Sequence, residues 1–351
     1  MAVDEARLEG FVQKFTGDFG AALHASTVVI GDKLGLYRAL ADLGPTDAAG
    51  LAAATRTDAR LVQEWLDAQY VSGYCRFSAR TATYWLSPEQ AAVLADPASP
   101  VFLVGSMTIA AAAAKDEEKV REAFISGAGL AWHDHHHDLF HGTERLFRTG
   151  YAANLVSSWI PAVGVADTLA GGGSIADVGC GHGASSILLA EAFPNSTVSG
   201  FDPHRASIDV ARKRVAEAGV SDRVRFEVAA AQDFPGSGYD LVCVLDALHD
   251  MGDPLGAARH IRDVLGPAGV WLLVEPMAGD SVDDNVNPVG RIYYAASTSI
   301  CAPAAQAQPG GSVLGAQVPD ATWAALAADA GFGRFRRATE TPFNRVFEVR
   351  P

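Results

Sequence analysis

The chain has 351 residues, 49% of them hydrophobic, and a formal net charge of −14. This length suggests about two domains, and the hydrophobic content is ample for a sizeable core. The acidic balance disfavours a polyanionic partner, because proteins that bind nucleic acids usually present a basic face. We therefore expect no nucleic-acid partner.

The sequence shows no sign of secretion or membrane insertion. No apolar run approaches the ~20 residues that cross a bilayer, and Met1–Glu5 is acidic and lacks a signal-peptide pattern. The four cysteines are widely spaced and form no C-x-x-C pair. This usage is typical of reduced cysteines in a cytoplasmic protein rather than of a disulfide framework or a zinc site. We expect a cytoplasmic protein without a metal.

The first hundred residues predict a small helical domain. Apolar residues recur at helical spacing at Leu8, Phe11, Val12, Phe15, Phe19 and Leu23. Helix is expected to about residue 43, where Gly44-Pro45 ends it. Two short helices over Asp47–Ala54 and Ala59–Val71 and a hairpin over Tyr74–Phe77 and Ala82–Leu86 follow. The succession of helix, turn, helix and hairpin predicts a winged-helix domain over residues 1–100.

The alternative use of a winged helix is contact with DNA. Residues 46–82 hold four basic and four acidic side chains. Without a local excess of positive charge, counterion release has little to act on. A structural and dimerising role is therefore favoured.

Residues 101–165 are predicted as a mostly helical connector that includes a histidine cluster between Trp132 and His141 and a helix from about Tyr151 to Val163.

The most informative run is Ala-Asp-Val-Gly-Cys-Gly-His-Gly at residues 176–183, between a short apolar segment and a predicted helix. Gly179, Gly181 and Gly183 permit positive φ and a close approach of backbone N–H groups to a nucleotide-like ligand. The carboxylate of Asp177 at the strand end suits a ligand that carries an ammonium or a sulfonium. A dinucleotide pyrophosphate would be repelled there.

The following segments alternate strand and helix, which predicts an α/β domain. The predicted strands are Thr197–Asp202, Val224–Val228, Tyr239–Asp246, Val270–Glu275, Phe335–Thr339 and Arg345–Val349, with helices at about 204–218 and at Ala321–Ala330. Asp202 ends its strand where an acid can hold ribose hydroxyls. Residues 277–316 lack a clear pattern and are interpreted as a lid or binding loop.

The glycine run and the order and spacing of these strands resemble the class I S-adenosylmethionine (SAM) methyltransferases over roughly half the chain. The N-terminal outline is similar to that of the winged-helix small-molecule methyltransferases, in which this domain packs a dimer. The resemblance implies a Rossmann-like seven-stranded sheet over residues 166–351, SAM as cofactor and a homodimer. The glycines also fit the dinucleotide form through Gly179, Gly181 and Ala184. A nicotinamide-dependent oxidoreductase is the alternative, which Asp177 and the late position of the loop disfavour.

The resemblance also implies further cofactor contacts. Asp246 would meet the ammonium of the methionine moiety, and Tyr151 would reach its carboxylate. Gln232 and Asp233 lie where the family contacts adenine. Here the usual Gly-Asp pair is replaced by Ala229-Ala230, so the adenine amino group needs another partner.

The catalytic candidates follow the fourth strand. Leu248-His249-Asp250 lies in the ligand crevice of an open α/β sheet. The family carries this tripeptide with its histidine as general base, and Glu275 matches the acid that orients it. A base near neutral pKa suits removal of a hydroxyl proton. Alternatively, His249 merely packs or caps a helix, and Asp250 is the orienting group or the N-cap of the next helix.

The acceptor pocket has weaker signals. Trp132, His136, His137 and Phe140 are interpreted as its wall, while a metal site and a solvated loop remain alternatives for the histidine cluster. Arg291 and Tyr294 lie in a segment that resembles the pocket-closing segment of the family.

Together these features predict SAM-dependent methyl transfer to a small aromatic or heteroaromatic acceptor, with O-methylation favoured. C-methylation of an electron-rich ring such as indole and a non-enzymatic, SAM-sensing regulator are the alternatives.

Overall fold

The computed structural model describes residues 3–351. These residues form two compact units. The winged-helix unit comprises the residues up to Ala114 together with His137–Thr149. The sheet unit comprises Lys115–His136 together with Gly150–Pro351. The division runs through the segment 101–165 that the sequence predicts as a connector.

The helices are α1 (Glu5–Lys33), α2 (Leu36–Leu43), α3 (Ala48–Thr55), α4 (Ala59–Val71), α5 (Pro88–Leu94), α6 (Val104–Lys115), α7 (Glu117–Ser126), α8 (His137–Asn154), α9 (Ile160–Ala162), α10 (Ala166–Gly172), α11 (Ala184–Ala192), α12 (Arg205–Glu217), α13 (Pro254–Val264), α14 (Pro288–Ala296), α15 (Ala302–Gln306) and α16 (Asp320–Asp329). The strands are β1 (Arg76–Ser78), β2 (Thr83–Trp85), β3 (Ser174–Val178), β4 (Thr197–Asp202), β5 (Val224–Val228), β6 (Tyr239–Leu245), β7 (Leu265–Pro276), β8 (Arg334–Glu340) and β9 (Asn344–Arg350). Short 3₁₀ turns occur at Trp132–Asp134, Leu248–Asp250 and Asp283–Asn285, and π-helical turns at Leu155–Trp159 and Ser297–Cys301.

The winged-helix unit has the predicted helix-turn-helix and wing. The two helices begin at carboxylate caps, because Asp47 accepts the Gly50 N–H at 2.8 Å and Asp58 accepts the Leu61 N–H at 2.9 Å. The wing is the antiparallel pair β1–β2, and Thr46 bridges to Tyr84 on β2. The winged-helix prediction is therefore confirmed.

The sheet unit is built on seven strands in the order β5-β4-β3-β6-β7-β9-β8. Strands β3 to β7 pair in parallel, and β9 runs antiparallel to both β7 and β8. The middle of the sheet is almost continuously apolar because helices cover both faces of a parallel sheet. This confirms the predicted seven-stranded Rossmann-like sheet.

The strand order positions the ligand crevice. From β3 the chain builds β4 and β5 on one side, then returns to add β6 on the other side. Open α/β sheets bind ligands at such a switch point, beyond the carboxyl ends of the strands. The glycine run follows β3, and Asp246 follows β6. The two segments that the sequence singles out therefore meet at this crevice.

Two predicted segments differ from the structure. The helix expected from Tyr151 begins earlier, since α8 starts at His137 and takes in the end of the histidine cluster. The segment 277–316 is largely helical between Pro288 and Gln306, where the sequence indicated an irregular stretch. Apolar residues do recur at helical spacing in its first helix, at Val289, Ile292, Tyr293 and Ala296, so the interpretation as an irregular loop overlooked a helical pattern. Within residues 3–351, no helix combines the length and apolar character that a membrane span requires.

Candidate active site

The glycine turn after β3 adopts a conformation that needs its glycines. Gly179, Gly181 and Gly183 have φ of +75°, +51° and +76°. A Cβ on Gly183 would lie 2.6 Å from the Phe226 ring. A Cβ on Gly181 would meet no described residue within 4 Å. Gly181 therefore borders open space, as expected where a ligand approaches the backbone.

Asp177 anchors this turn to the following helix. Its carboxylate is buried, and one of its oxygens accepts hydrogen bonds from the hydroxyls of Ser185 and Ser186, both at 2.6 Å. Burial raises the pKa of Asp177, although the two hydroxyls oppose the shift. The carboxylate thus ties the strand end to the first turn of α11. A contact of this group with the ligand stays a prediction.

Asp202 joins the ends of β3 and β4. It accepts the backbone N–H of Gly181 at 3.0 Å and that of His204 at 2.8 Å. Burial raises the pKa of Asp202 to about 6. A carboxylate offers about four acceptor positions, so two such bonds leave capacity for ribose hydroxyls.

Asp246 is the strained residue of the crevice. Its φ of +52° lies in the left-handed region, which is costly for a residue with a Cβ and recurs at functional sites. Asn344 donates to its Oδ1 at 2.7 Å, while no described residue hydrogen-bonds its buried Oδ2. Burial and the Glu275 carboxylate raise the pKa of Asp246 well above its usual range. The Tyr151 hydroxyl donates nearby, to the Leu245 carbonyl at 3.4 Å.

His249 and Glu275 form a buried pair at the ends of β6 and β7. The imidazole Nδ1 lies 2.7 Å from Glu275 Oε2, and both side chains are nearly inaccessible to solvent. Glu275 Oε1 accepts the Leu248 N–H at 3.2 Å. The carboxylate therefore fixes both the ring and the turn that carries it.

The Nε2 edge of the His249 ring lies near Asp250 and Cys301. Asp250 Oδ1 lies 3.2 Å from Nε2 without forming an aligned hydrogen bond. One side-chain nitrogen, oxygen or sulfur atom from each of His249, Asp250 and Cys301 lies within 4.8 Å of the other two. Asp250 does not cap the next helix, because Asp253 accepts the Gly256 N–H there. That alternative for Asp250 is therefore wrong.

The charge state of His249 follows from these neighbours. Burial by itself lowers the pKa of His249, but the carboxylates of Asp250 and Glu275 and the Cys301 thiol outweigh it. The net result is a pKa well above the usual 6.5. The two carboxylates and the thiol therefore favour the imidazolium form of the ring.

The other predicted site residues lie on separate elements, and the structure does not bring them together around one point. The Gln232 amide donates to the Asp253 carbonyl at 3.1 Å, and Asp233 is exposed. Trp132 starts a 3₁₀ turn in the sheet unit, where the His136 N–H also donates to Asp116. The remaining candidates lie on helices with partly or largely exposed side chains: His137 and Phe140 on α8, Arg291 and Tyr294 on α14.

Sequence reasoning missed two neighbours of the pair. Tyr293, next to the chosen Tyr294, has Asp246, Cys301 and Glu275 as its electrostatic neighbours. Cys301 ends a π-helical turn, a feature often found at functional sites. No motif marks either residue, because their position depends on how the segment 288–306 folds back over the crevice.

The crevice can accommodate a cationic nucleoside-type cofactor. A backbone glycine faces open space, a neighbouring carboxylate has spare acceptor positions, and the buried Asp246 Oδ2 lacks a partner among residues 3–351. An unpartnered buried carboxylate favours a ligand that brings positive charge.

Comparison with known families agrees with this geometry. Residues 176–271 match a family model described as a methyltransferase domain. Residues 176–271 are therefore a methyltransferase domain. Residues 21–96 match an Rv2258c-like winged HTH domain. The methyltransferase domain implies SAM as cofactor.

Similar proteins extend the comparison. The chain is 34% identical over 131 residues to 27-O-demethylrifamycin SV methyltransferase of Amycolatopsis mediterranei, covering 35% of this chain and 48% of that protein. It thus spans about half the length of the curated relatives it matches. Human N-acetylserotonin methyltransferase, solved with SAM, has a TM-score of 0.73 at 16% identity and covers 99% of this chain and 98% of its own. The O-methyltransferase NcsB1 from neocarzinostatin biosynthesis, solved with SAM and a naphthoic acid, has a TM-score of 0.58 at 18% identity, covering 93% and 95%. At such identities the likeness shows the fold.

Proposed function

We propose that this protein is a SAM-dependent O-methyltransferase for a small aromatic acceptor, with His249 as the base. The observation that carries the proposal is the buried His249–Glu275 pair beside the switch point of a methyltransferase sheet. An activated histidine at this position is suited to a hydroxyl that must lose its proton.

The cofactor residues follow from the crevice. The backbone of Gly179, Gly181 and Gly183 would approach the cofactor, and Asp202 would hold its ribose hydroxyls. Asp246 and Tyr151 would meet the methionine end, and Gln232 or Asp233 the adenine. Bound SAM would supply an electrophilic methyl group.

The histidine has a defined cycle on this proposal. A base must be neutral before it can act, so a proton on Nε2, from which Asp250 Oδ1 lies 3.2 Å away, first passes to solvent. The acceptor hydroxyl then takes the place of Asp250 beside Nε2 and transfers its proton to that nitrogen as its oxygen gains the methyl group, which would leave the cofactor sulfur as a neutral thioether. Glu275 at Nδ1 keeps the ring in one orientation and stabilises the imidazolium that forms again. The base is therefore active only above the raised pKa of His249.

An aromatic acceptor is supported by the surroundings of the pair and by the relatives. Tyr293 is an electrostatic neighbour of Asp246, Glu275 and Cys301, and its hydroxyl donates to the Phe343 carbonyl at 2.8 Å, which ties an aromatic residue to this end of the sheet. NcsB1 and N-acetylserotonin methyltransferase are named for, or solved with, aromatic molecules. Trp132, His136, His137, Phe140, Arg291 and Tyr294 stay the proposed wall of the acceptor pocket.

We also propose a homodimer, formed through α1. This helix exposes a row of large apolar side chains, with Phe11 64%, Phe15 63%, Phe19 59% and Leu23 61% accessible. Exposed apolar rows of this extent are typical of protein interfaces. A second copy of the same helix offers a matching surface under two-fold symmetry.

The proposal is tested in two steps. Titration calorimetry should detect binding of SAM or its demethylated product and no binding of NAD. Mass spectrometry should then detect the gain of one methyl group on a member of a panel of hydroxynaphthoic acids and other phenols. Binding of NAD together with no detectable binding of SAM would refute the proposal at the first step. Methyl gain on carbon instead of oxygen would replace O-methylation with C-methylation.

A further inference from the structure

A second buried carboxylate–histidine pair lies in the sheet unit, and its histidine, His135, belongs to the histidine cluster between Trp132 and His141. The His135 side chain is 0% exposed, and its Nδ1 lies 3.2 Å from Oδ2 of Asp116, which is 2% exposed. The His136 N–H donates to the same oxygen at 2.6 Å, and Lys119 donates to Oδ1 at 2.8 Å. The Asp116 carboxylate is therefore locked in place from three sides.

The two partners define which atom of His135 carries the proton. Burial lowers the pKa of His135 and outweighs the opposing effect of Asp116, so the ring is neutral. For Asp116, burial raises the pKa, but Lys119 and the hydrogen bonds from His136 and His135 outweigh it and lower the pKa, so this group is ionised. An ionised carboxylate only accepts hydrogen bonds, so Nδ1 must carry the proton. His135 Nε2 then holds a lone pair.

That lone pair has no hydrogen-bond donor among the described residues. Across residues 3–351, no group forms a hydrogen bond with His135 Nε2, although the atom is buried. A buried polar atom without a partner costs free energy, and in native proteins it usually has a functional reason. The ring is held in place by Asp116, and its buried Nε2 has the capacity to accept one hydrogen bond.

The loop before His135 packs beside the His249 site. The Leu130 N–H donates to the Pro303 carbonyl at 2.9 Å, and Gln306 Nε2 donates to the Gly127 carbonyl at 3.1 Å. Gly129 lies so close to α15 that a Cβ would be 2.5 Å from the Pro303 oxygen. The segment that leads to His135 is thus fastened to α15.

Helix α15 in turn connects to the catalytic histidine. It begins directly after Cys301, whose thiol lies with His249 and Asp250, and it packs against the turn Leu248–Asp250. Asp250 is also among the charged groups that act on His135, together with Asp116 and Lys119. The segment that leads to His135 is therefore connected, through α15, to the turn that carries His249.

We propose that His135 Nε2 accepts a hydrogen bond from a second donor group, a hydroxyl or an N–H, on the acceptor molecule. The inference rests on the proposed function and narrows its substrate class. The acceptor carries one hydroxyl that meets His249 and a further donor that meets His135. His135 is then a residue that determines specificity, and Asp116 is its positioning residue.

The experiment compares two probes that differ by one hydroxyl, 1,4-dihydroxy-2-naphthoic acid and 1-hydroxy-2-naphthoic acid. Wild type should favour the dihydroxy probe in kcat/KM by about tenfold to a hundredfold, because a site built for a donor rejects the analogue that lacks it. His135→Phe should lose this preference, and His135→Gln, which keeps an acceptor oxygen, should retain part of it. His133→Gln, an exposed histidine two residues away, is the matched control. Calorimetry with SAM reports whether each variant is folded.

A second readout does not depend on turnover. Nitrogen NMR of histidine-labelled wild type, assigned with His135→Gln, should show a bare Nε2 and a protonated Nδ1. A protonated Nε2 would overturn the inference whether or not either probe reacts. An equal preference for the dihydroxy probe in wild type and His135→Phe would also overturn the inference. His135 Nε2 would then bind water and not the acceptor. Absence of SAM binding and of methyl transfer would instead refute the proposed function, and the NMR result would still decide on His135.

Discussion

The Nδ1 atom of His249 lies 2.7 Å from Glu275 Oε2, and the other oxygen of the same carboxylate holds the Leu248 N–H at 3.2 Å. One buried carboxylate therefore sets the tautomer, the ring orientation and the backbone turn of the histidine. Such an arrangement activates the opposite nitrogen, Nε2, for proton transfer.

Replacing His249 by alanine tests its role as base. Affinity for SAM should stay nearly unchanged, and the rate of methyl transfer should fall by ~10²–10⁴, the usual contribution of general acid–base catalysis. Calorimetry and a single-turnover assay measure the two effects. Full activity of His249→Ala would show that alignment alone drives the reaction, and C-methylation without an obligatory base would become the better interpretation.

The pH dependence distinguishes a base from a packing residue. Because the pKa of His249 is raised well above 6.5, the rate should rise with pH through this higher value, and not around 6.5 as an ordinary histidine would give. Glu275→Gln removes a charge that raises this pKa. The variant should be slower, and its rising limb should move to lower pH. If the rising part of the pH–rate profile is at the same pH in Glu275→Gln as in wild type, a group other than His249 controls the rate.

Gly181 tests the cofactor crevice. Gly181→Val should abolish SAM binding, because its side chain would enter the open space beside the turn. The matched control is Gly219→Val, since Gly219 also has positive φ, +70°, and open space around it. Both variants carry similar backbone strain, so only the loss of ligand space differs. Equal SAM affinity in the two variants would place the cofactor elsewhere.

Asp202 should lower stability as pH rises. Its folded-state pKa of about 6 exceeds the usual 3.8, so the folded protein favours the protonated form. The stability that protonated Asp202 contributes to the free energy of unfolding is therefore fully present below pH ~4 and is lost as pH rises through 6. Relative to wild type, Asp202→Asn should therefore gain up to about 3 kcal/mol between pH 4 and 7. Urea unfolding measures the difference, with the exposed Asp222→Asn as control. A difference independent of pH would contradict the prediction.

The apolar row on α1 should control assembly. Wild type should sediment with twice the mass of the chain, and the triple serine variant of Phe11, Phe15 and Phe19 should sediment as a monomer. Leu61→Ser is the control, because Leu61 on α4 is 70% exposed but lies outside the row. A monomeric wild type would refute the dimer.

The sequence by itself determined the parts of this protein that depend on local patterns. Gly179, Gly181 and Gly183 indicated a turn with positive φ, since few other residues adopt that conformation. The apolar strands and the charge-neutral helix-turn-helix predicted the sheet and the winged helix. Leu248-His249-Asp250 and Glu275 were identified because a parallel sheet brings the carboxyl ends of its strands together.

Only the tertiary structure decided which groups surround these residues. Cys301 reaches the His249 site because the segment 288–306 is helical and packs beside the turn Leu248–Asp250, a long-range contact that no local pattern shows. His135 stood among several histidines of one cluster. It became distinct through its burial against Asp116, nineteen residues earlier in the chain. The raised pKa of His249 has the same origin, since it depends on charges brought together by folding. Local chemistry can be read from the sequence, but burial and long-range contacts arise only when the chain is packed.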